Sequence, residues 1–220
     1  MSDYRSKMDR EVAARKAREF FDAIWQAGDY WHLEHSEFEK AKYERQIELL
    51  QDCHYARALE IGCGAGHFTR ILATLADYIT AIDVAPSAIA RAQAAGASPG
   101  RIDFRIENIM DYDFIGNRPW DLIVMNETIY YLGWLYSFFD VAWMANELYR
   151  ATQPGGTFLM ANTFGEISDY LIRPWIIRTY RDLFVNVGYV VKTEETFCGK
   201  KDNVMLETLM TVFVKPADPS

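Results

Sequence analysis

The chain has few of the residues that form disulfides or bind metals: it contains three cysteines and four histidines in 220 residues. Because Cys53, Cys63 and Cys198 are odd in number and far apart, they predict reduced thiols in a cytoplasmic protein, and no metal site is expected. Basic residues are not in excess either. The formal net charge is −8, which is unfavourable for a broad electrostatic contact with nucleic acid, so no nucleic-acid partner is expected.

Long apolar runs, repeats and low-complexity tracts are also lacking. The longest apolar region, residues 122–145, is interrupted by Asn126, Glu127 and Asp140, so neither a membrane span nor a membrane partner is expected. Charges of both signs alternate over residues 1–19, which is not the pattern of a secretory signal. Half of the residues are hydrophobic, which predicts a single globular domain with a real core.

Three glycines at every second position, Gly62, Gly64 and Gly66, separate a short apolar segment from a helical pattern. A strand, a glycine turn and a helix in this order open a nucleotide-binding α/β unit. A dinucleotide fingerprint needs a glycine where this chain has His67, so the pattern departs from that of a dehydrogenase. Glu60 stands two residues before the first glycine. A carboxylate there would repel a pyrophosphate and would suit a ligand that carries an ammonium or a sulfonium.

Buried-strand patterns alternate with helical patterns along the chain, which is typical of an α/β protein with a parallel sheet. The predicted strands are residues 58–61, 78–83, 102–106, 120–126, a strand after the turn at 153–156, and an antiparallel pair at 190–197 and 204–214. The predicted helices include residues 9–26, 36–50, 86–95, 141–150 and 171–187. Ser36 and Glu39 have the spacing of a capping box, and the helix after them is expected to bury Phe38, Ala41, Ile47 and Leu50.

The pattern Glu60-x-Gly62-x-Gly64-x-Gly66 resembles the first motif of class I S-adenosylmethionine (SAM)-dependent methyltransferases. This resemblance covers about residues 50–214. It implies an α/β, Rossmann-like sheet of seven strands, the last one antiparallel, with helices on both faces and an N-terminal helical lid. The implied division is a lid at 1–50 and a SAM-binding core at 51–215, in which the insertion 163–175 helps to form the acceptor pocket.

Two shorter patterns are similar to the nodulation N-methyltransferases and related small-molecule N-methyltransferases. They are Phe38-Glu39-x-x-Lys42-Tyr43, and Asn126-Glu127-x-x-Tyr130-Tyr131-Leu132 after the fourth strand. Nodulation enzymes methylate an amine on a chitooligosaccharide. The resemblance therefore implies SAM as cofactor, S-adenosylhomocysteine (SAH) as product, and transfer of a methyl group to nitrogen or oxygen of a small molecule such as an amino sugar or a natural-product intermediate. A homodimer is compatible with it. A non-catalytic SAM-binding module and an NAD-dependent oxidoreductase stay open as alternatives.

The cofactor site follows from the same resemblance and from the chemistry of the residues. In the family, the glycine loop cradles the methionine part and Glu60 holds its ammonium. Asp83 ends a strand about twenty residues past the glycines, where a carboxylate can bind both ribose hydroxyls, although it could also cap the next helix. Asn108 stands where the family usually has an Asp that binds the adenine amino group. The residues expected at the cofactor are Trp31, Tyr43, Glu60, Gly62, Cys63, Gly64, Gly66, Asp83, Val84, Asn108, Ile109 and Asn126.

Three residues are candidate catalytic bases: Glu127, His32 and His35. A neutral amine attacks a sulfonium methyl directly and loses its proton afterwards, whereas a hydroxyl acceptor needs a base or a metal. Glu127 lies at the end of the fourth predicted strand, where donor and acceptor should meet, but it could instead cap a helix or contact SAM. His32 and His35 fall in the predicted lid, where surface or packing roles are the alternative.

Overall fold

The computed structural model describes residues 7–96, 101–114, 116–117, 119–164 and 170–217. The helices are α1 (Lys7–Ala27), α2 (Glu37–Leu50), α3 (His67–Leu72), α4 (Pro86–Ala94), α5 (Ile129–Leu135), α6 (Phe138–Ala151) and α7 (Pro174–Asn186), with one 3-10 turn at Ile109–Asp111. The strands are β1 (Tyr55–Ile61), β2 (Ala76–Asp83), β3 (Ile102–Ile106), β4 (Trp120–Asn126), β5 (Thr152–Phe164), β6 (Val190–Lys201) and β7 (Val204–Val214). The middle of the predicted insertion, residues 165–169, lies outside the described residues.

The seven strands form one sheet in the order β3-β2-β1-β4-β5-β7-β6. The first five in this order are parallel, and β7 runs antiparallel to both of its neighbours, β5 and β6. The predicted sheet of seven strands with an antiparallel last strand is therefore confirmed. Since the parallel strands all end at one edge, the glycine loop after β1 lies beside the ends of β2 and β4.

Helices cover both faces of the sheet. Ile123 and Met125 of β4 pack in a cluster with α5, α6 and α7, whereas Leu122 and Val124 pack with α2, α3 and α4. These four side chains are fully buried. Because successive side chains of a strand point to opposite faces, this alternation places a helical layer on each side.

The two N-terminal helices are fastened to the sheet core. Helix α1 packs against α4 and α5, and Asp22 accepts a 2.7 Å hydrogen bond from the Ser87 amide in the first turn of α4. Helix α2 packs against α3 and β6, and Arg45 forms two 2.7 Å hydrogen bonds with Glu195 of β6. Both helices therefore border the edge at which the parallel strands end.

Two local features differ from the sequence prediction. Helix α5 was not expected, since its residues are largely aromatic and β-branched, and tertiary packing on α6 and α7 decides its conformation. The prediction that α2 buries Ala41 is wrong: Ala41 is exposed, and Lys42 and Gln46 are buried instead. No described helix is both long and apolar enough to cross a membrane.

Candidate active site

A cleft of about 410 Å³ opens at the carboxyl ends of β1, β2 and β4, and side chains of α1 and α2 close it from above. Every residue predicted at the cofactor lines this cleft except Gly66. Among the predicted bases, Glu127 lines it and the two histidines do not. The cleft therefore gathers residues that are far apart in sequence at the place where open α/β sheets bind ligands.

The three glycines of the loop have positive φ values of 75°, 53° and 74°. A Cβ atom on Gly64 would lie 2.7 Å from the Trp25 ring of α1, and one on Gly66 would lie 2.9 Å from the Phe104 ring. A Cβ atom on Gly62 would collide with the Thr128 hydroxyl. The glycines thus permit both the turn and the close approach of the chain's own side chains, and Gly66 begins α3 rather than lining the cleft.

The Asp83 carboxylate is held by backbone amides at the end of β2. Its Oδ2 accepts from the Gly64 amide and its Oδ1 from the Ala85 amide, both at 2.9 Å. Burial raises the pKa of Asp83 and the two amides offset part of that rise. The alternative that Asp83 caps the next helix is wrong, because the N-cap of α4 is Ala85 and no side chain caps that helix. Each oxygen of Asp83 keeps further lone-pair capacity toward the cleft, which leaves it able to contact a ligand.

Glu60 is a buried acid without a cationic partner. Its side chain is 2% exposed, and its Oε2 has no hydrogen-bond partner among the described residues. Burial raises the pKa of Glu60 to about 8, and the Thr69 side chain and nearby Arg70 offset this only in part. Because a buried unpaired acid is costly, this carboxyl group fits a cationic ligand group that would supply the missing partner.

Asn126, at the end of β4, offers a second unpaired acceptor to the cleft. Its amide nitrogen donates a 2.7 Å hydrogen bond to Gln46 of α2, which fixes the side chain, while its Oδ1 has no partner within the described part of the chain. Gln46 is fully buried. Asn126 and Glu60 therefore present two oxygen acceptors on neighbouring strands.

Asn108 is more restrained than the sequence suggested. Its amide nitrogen donates to Tyr136 at 2.7 Å and to Asp111 at 3.2 Å, and its Oδ1 accepts from the Met110 amide at 3.1 Å. This side chain starts the 3-10 turn that also carries Ile109. One lone pair of Oδ1 stays available to a ligand in the cleft.

Aromatic rings from α1, from α2 and from the segment between these helices complete the walls of the cleft. Trp25 and Trp31 contact each other with ring centroids 5.5 Å apart, and Tyr43 packs on Phe68 at 5.4 Å. Burial raises the pKa of Tyr43, so its hydroxyl stays protonated. These ring faces could attract a sulfonium cation.

A charged network that the sequence did not reveal connects α2, β6 and the end of β4. Lys42 is 1% exposed and lies 2.6 Å from Glu39 and 2.8 Å from Glu127. Lys201 of β6 donates to Glu39 and to the Trp31 carbonyl, both at 2.6 Å. Because these two lysines hold the Glu39 carboxylate, only half of the predicted capping box forms: the Glu39 amide donates to the Ser36 hydroxyl.

Glu127 follows β4 in a left-handed backbone conformation with a φ of 48°. Its carboxylate accepts from Lys42, from the Tyr130 hydroxyl at 3.2 Å, and from both the amide and the hydroxyl of Thr163, at 2.9 and 2.6 Å. Burial acts to raise the pKa of Glu127, but Lys42 and Thr163 outweigh it, so that the pKa lies below its ordinary value. Glu127 is therefore a carboxylate at neutral pH.

The structure does not bring the two candidate histidines to the cleft. His32 is exposed, and the His35 side chain is 93% exposed beside Glu34. His67, in contrast, lines the cleft, and burial lowers its pKa. The cleft residues that sequence reasoning missed include Trp25, Lys42, Thr128 and Lys201, which lie far apart in the sequence. Thr163 also lines the cleft, as the first residue of the predicted insertion 163–175.

The sheet order, the lone antiparallel strand β7 and the cleft at the glycine loop define a class I, Rossmann-like methyltransferase fold. Within this class the chain belongs to the nodulation protein S (NodS) family, whose family model matches residues 14–167.

Individual relatives agree with this assignment. The chain is 34% identical over 153 residues to the nodulation protein S of Rhizobium tropici, which covers 68% of this chain and 59% of the relative. It is 37% identical over 105 residues to that of Bradyrhizobium diazoefficiens, covering 47% and 49%. The chain thus spans about half the length of these curated relatives. The crystal structure of N-methyltransferase NodS from Bradyrhizobium japonicum WM9 in complex with S-adenosyl-L-homocysteine has a TM-score of 0.77 and 23% identity, covering 91% of this chain and 98% of that chain.

Proposed function

We propose that the protein is a SAM-dependent methyltransferase that acts on an amine nitrogen of a small molecule. The observation that carries this proposal is the buried, unpartnered Glu60 oxygen beside the glycine loop, which fits the ammonium of a methionine-type ligand. A carboxyl group at this place is unfavourable for the pyrophosphate of NAD. Membership of the NodS family supports the same conclusion.

The cofactor would be held by groups that already converge on the cleft. Glu60 and Asn126 would bind the ammonium, Asp83 the ribose hydroxyls, and Asn108 the adenine amino group, with Val84 and Ile109 packing on the adenine ring. When bound, the cofactor supplies a methyl group on a positively charged sulfur. The chain's own residues then need to align the acceptor and exclude water, which can provide much of the rate.

Nitrogen is favoured over oxygen because no free base lies at the acceptor end of the cleft among the described residues. A hydroxyl acceptor needs a base, but Glu127 has a lowered pKa and is held by Lys42, Tyr130 and Thr163. An amine needs none. The acceptor would enter beside Tyr131, Leu135 and Ile172. We propose that residues 7–50, the described part of the predicted lid 1–50, act as a lid, and that the described parts of the segment 163–175 form part of the acceptor wall.

Calorimetry with SAM and SAH tests the donor half of this proposal, and transfer of a labelled methyl group to amines and phenols tests the acceptor half. We expect both cofactor forms to bind and amines to be methylated in preference to phenols. Absence of binding by both forms would contradict the proposal. Binding without transfer to any acceptor would favour the non-catalytic SAM-binding module. Formation of a homodimer is a separate prediction, which light scattering can check.

Replacement of Asp83 tests the ribose assignment. Asp83→Ala is expected to weaken SAH binding by about 1–3 kcal/mol, because charge-assisted hydrogen bonds to the ribose hydroxyls are lost. Calorimetry measures this change, with a melting curve to check the fold. Asp77→Ala serves as the matched control, since Asp77 lies on the same strand and is exposed. Unchanged affinity in Asp83→Ala would show that the ribose lies elsewhere.

A further inference from the structure

We propose that the hydroxyl oxygens of Tyr130 and Thr163 accept the N–H groups of the acceptor amine, and that Glu127 is a positioning residue that turns both hydroxyl protons away from that amine. This inference rests on the proposed function, because it describes how the same cleft orients its acceptor. It gives Glu127 a role other than the base predicted from the sequence.

The hydrogen-bonding capacity of Glu127 is already filled. Oε1 accepts from Lys42 Nζ at 2.8 Å and from Thr163 Oγ1 at 2.6 Å, and Oε2 accepts from the Thr163 amide at 2.9 Å and from Tyr130 Oη at 3.2 Å. A carboxylate offers about four lone-pair sites. A proton from a bound amine could reach Glu127 only after one of these bonds breaks.

The two hydroxyls that donate to Glu127 are left as acceptors toward the cleft, which both of them line. A hydroxyl has one proton and two lone pairs, so donation to Glu127 leaves Tyr130 Oη and Thr163 Oγ1 with lone pairs alone. Thr208 Oγ1 lies 3.2 Å from Thr163 Oγ1 and must be the donor in that pair, because the Thr163 proton is directed to Glu127. One lone pair of Thr163 then remains for a ligand.

Two fixed acceptors select a group with two N–H protons and direct its lone pair. A primary amine that donates to both oxygens has its lone pair pointing away from them, toward the donor end of the cleft. The lone pair of the nitrogen then forms an N–C bond with the methyl group while the C–S bond of a sulfonium donor breaks. The two electrons of the C–S bond remain on sulfur, which becomes a thioether. The methylated ammonium loses one proton to water. An ether or a carboxylate has no proton for either hydroxyl oxygen and is rejected.

Lys42 fixes the direction of the hydrogen bonds between Glu127 and the two hydroxyls. Its buried ammonium, 2.8 Å from Glu127, holds that side chain as a carboxylate that only accepts hydrogen bonds. A protonated Glu127 would itself donate to one hydroxyl and would turn that hydroxyl's proton into the cleft. The amine would then lose one of its two acceptors.

The test uses the full chain with a panel of primary amines, among them glucosamine and tyramine, whose phenol offers an oxygen acceptor on the same molecule. With SAM present, kcat/KM for the amine is expected to rise with pH up to the pKa of that amine and then to stay level. The reason is that only the neutral amine has a lone pair for the methyl group. In an ammonium a third N–H bond would take the place of that lone pair and would point at the sulfonium. A kcat/KM that falls above the amine pKa would overturn the inference, since Glu127 would then be taking a proton from a bound ammonium.

Two variants separate positioning from simple support of the fold. Tyr130→Phe is expected to weaken calorimetric binding of the amine to the SAH-bound protein, and to lower kcat/KM, by about 10- to 100-fold, while SAH affinity stays within about twofold. Glu127→Gln is expected to lower turnover more than SAH affinity without changing the shape of the pH profile. Tyr78→Phe on β2, outside the cleft, is the matched control. Equal losses of amine binding and SAH affinity in Tyr130→Phe would overturn the inference.

Neutron diffraction from deuterated crystals distinguishes failure of this inference from failure of the proposed function. The deuterons of Tyr130 Oη and Thr163 Oγ1 are expected on the side of Glu127. Deuterons directed into the cleft, or a deuteron on Glu127, would overturn the inference even if amines are methylated. Absence of methyl transfer to every amine and phenol, with SAH still bound, would instead overturn the proposed function.

Discussion

Replacement of Lys42 by methionine is expected to lower the free energy of unfolding by about 3 kcal/mol, the cost of leaving the Glu127 carboxylate, which is only 28% exposed, without its cation. Lys42 is 1% exposed and contacts Glu39 and Glu127 at 2.6 and 2.8 Å. Burial alone would lower the pKa of Lys42, but these two carboxylates raise it above its ordinary value. After the replacement Glu39 keeps Lys201, whereas Glu127 keeps hydroxyl and amide donors alone.

Urea unfolding followed by fluorescence measures this loss, and two further variants sharpen its interpretation. Lys40→Met is the matched control, because Lys40 lies on the same helix and is exposed. The double variant Lys42→Met/Glu127→Gln is expected to recover part of the stability, since the amide leaves no unpaired charge. A Lys42→Met protein as stable as the control would mean that the network contributes nothing to folding.

The pH dependence of the same variant has a defined sign. In the parent protein the pKa of Glu127 is depressed from 4.5, so its contribution to stability is present above that pH and is lost as the pH falls. Replacement of Lys42 removes the main influence that lowers this pKa, so burial is expected to outweigh the Thr163 hydrogen bonds and to raise it. The contribution of Glu127 then falls as the pH rises through the neutral range, so the difference between Lys42→Met and the parent is expected to be smaller at pH 5 than at pH 8.

The sheet and the donor end of the cleft were predictable because their signals are local. A buried strand, the glycines after it and an acid at the end of the next strand are read from short stretches, and parallel strands necessarily end together. Glu60 and Asp83 consequently line one cleft, as the spacing indicated. The glycine motif did not predict every contact of the loop. Gly64 is adjacent to Trp25, which lies almost forty residues before it in the sequence and belongs to no motif.

The polar side chains that α2 directs toward the cleft were not predictable, because they meet their partners only through tertiary structure. Lys42 and Gln46 lie on the buried face of α2 between Phe38 and Leu50. Each of these four residues follows the previous one by four positions, so that all of them face the same side of the helix. Interpretation of the hydrophobic pattern assigns charged and amide side chains to the solvent face. For this reason the sequence pattern predicted that Ala41, rather than Lys42, is buried. A lysine on the apolar stripe of a helix was the available signal, and its partner Glu127 is 85 residues away.

Glu60 gives the second large effect, on ligand affinity and its pH dependence. In the ligand-free protein burial raises the pKa of Glu60 to about 8, so at pH 7 most molecules carry a proton there. A ligand ammonium pairs with the carboxylate form, so binding must release that proton. Affinity for SAH is therefore expected to rise by about tenfold between pH 6 and 7 and by about fivefold between pH 7 and 8, where the rise begins to level off.

Glu60→Gln removes both the charge and the proton release. At pH 8 it is expected to bind SAH about 100-fold more weakly than the parent protein, because a buried charge-assisted contact becomes a neutral one. Its affinity should be almost constant between pH 6 and 8, and calorimetry in two buffers of different ionisation enthalpy should detect proton release at pH 7 in the parent alone. Glu44→Gln, an exposed site on α2, is the control. An affinity that is independent of pH in the parent protein would place the ligand ammonium away from Glu60, and the carboxyl group would then need another cation to explain its burial.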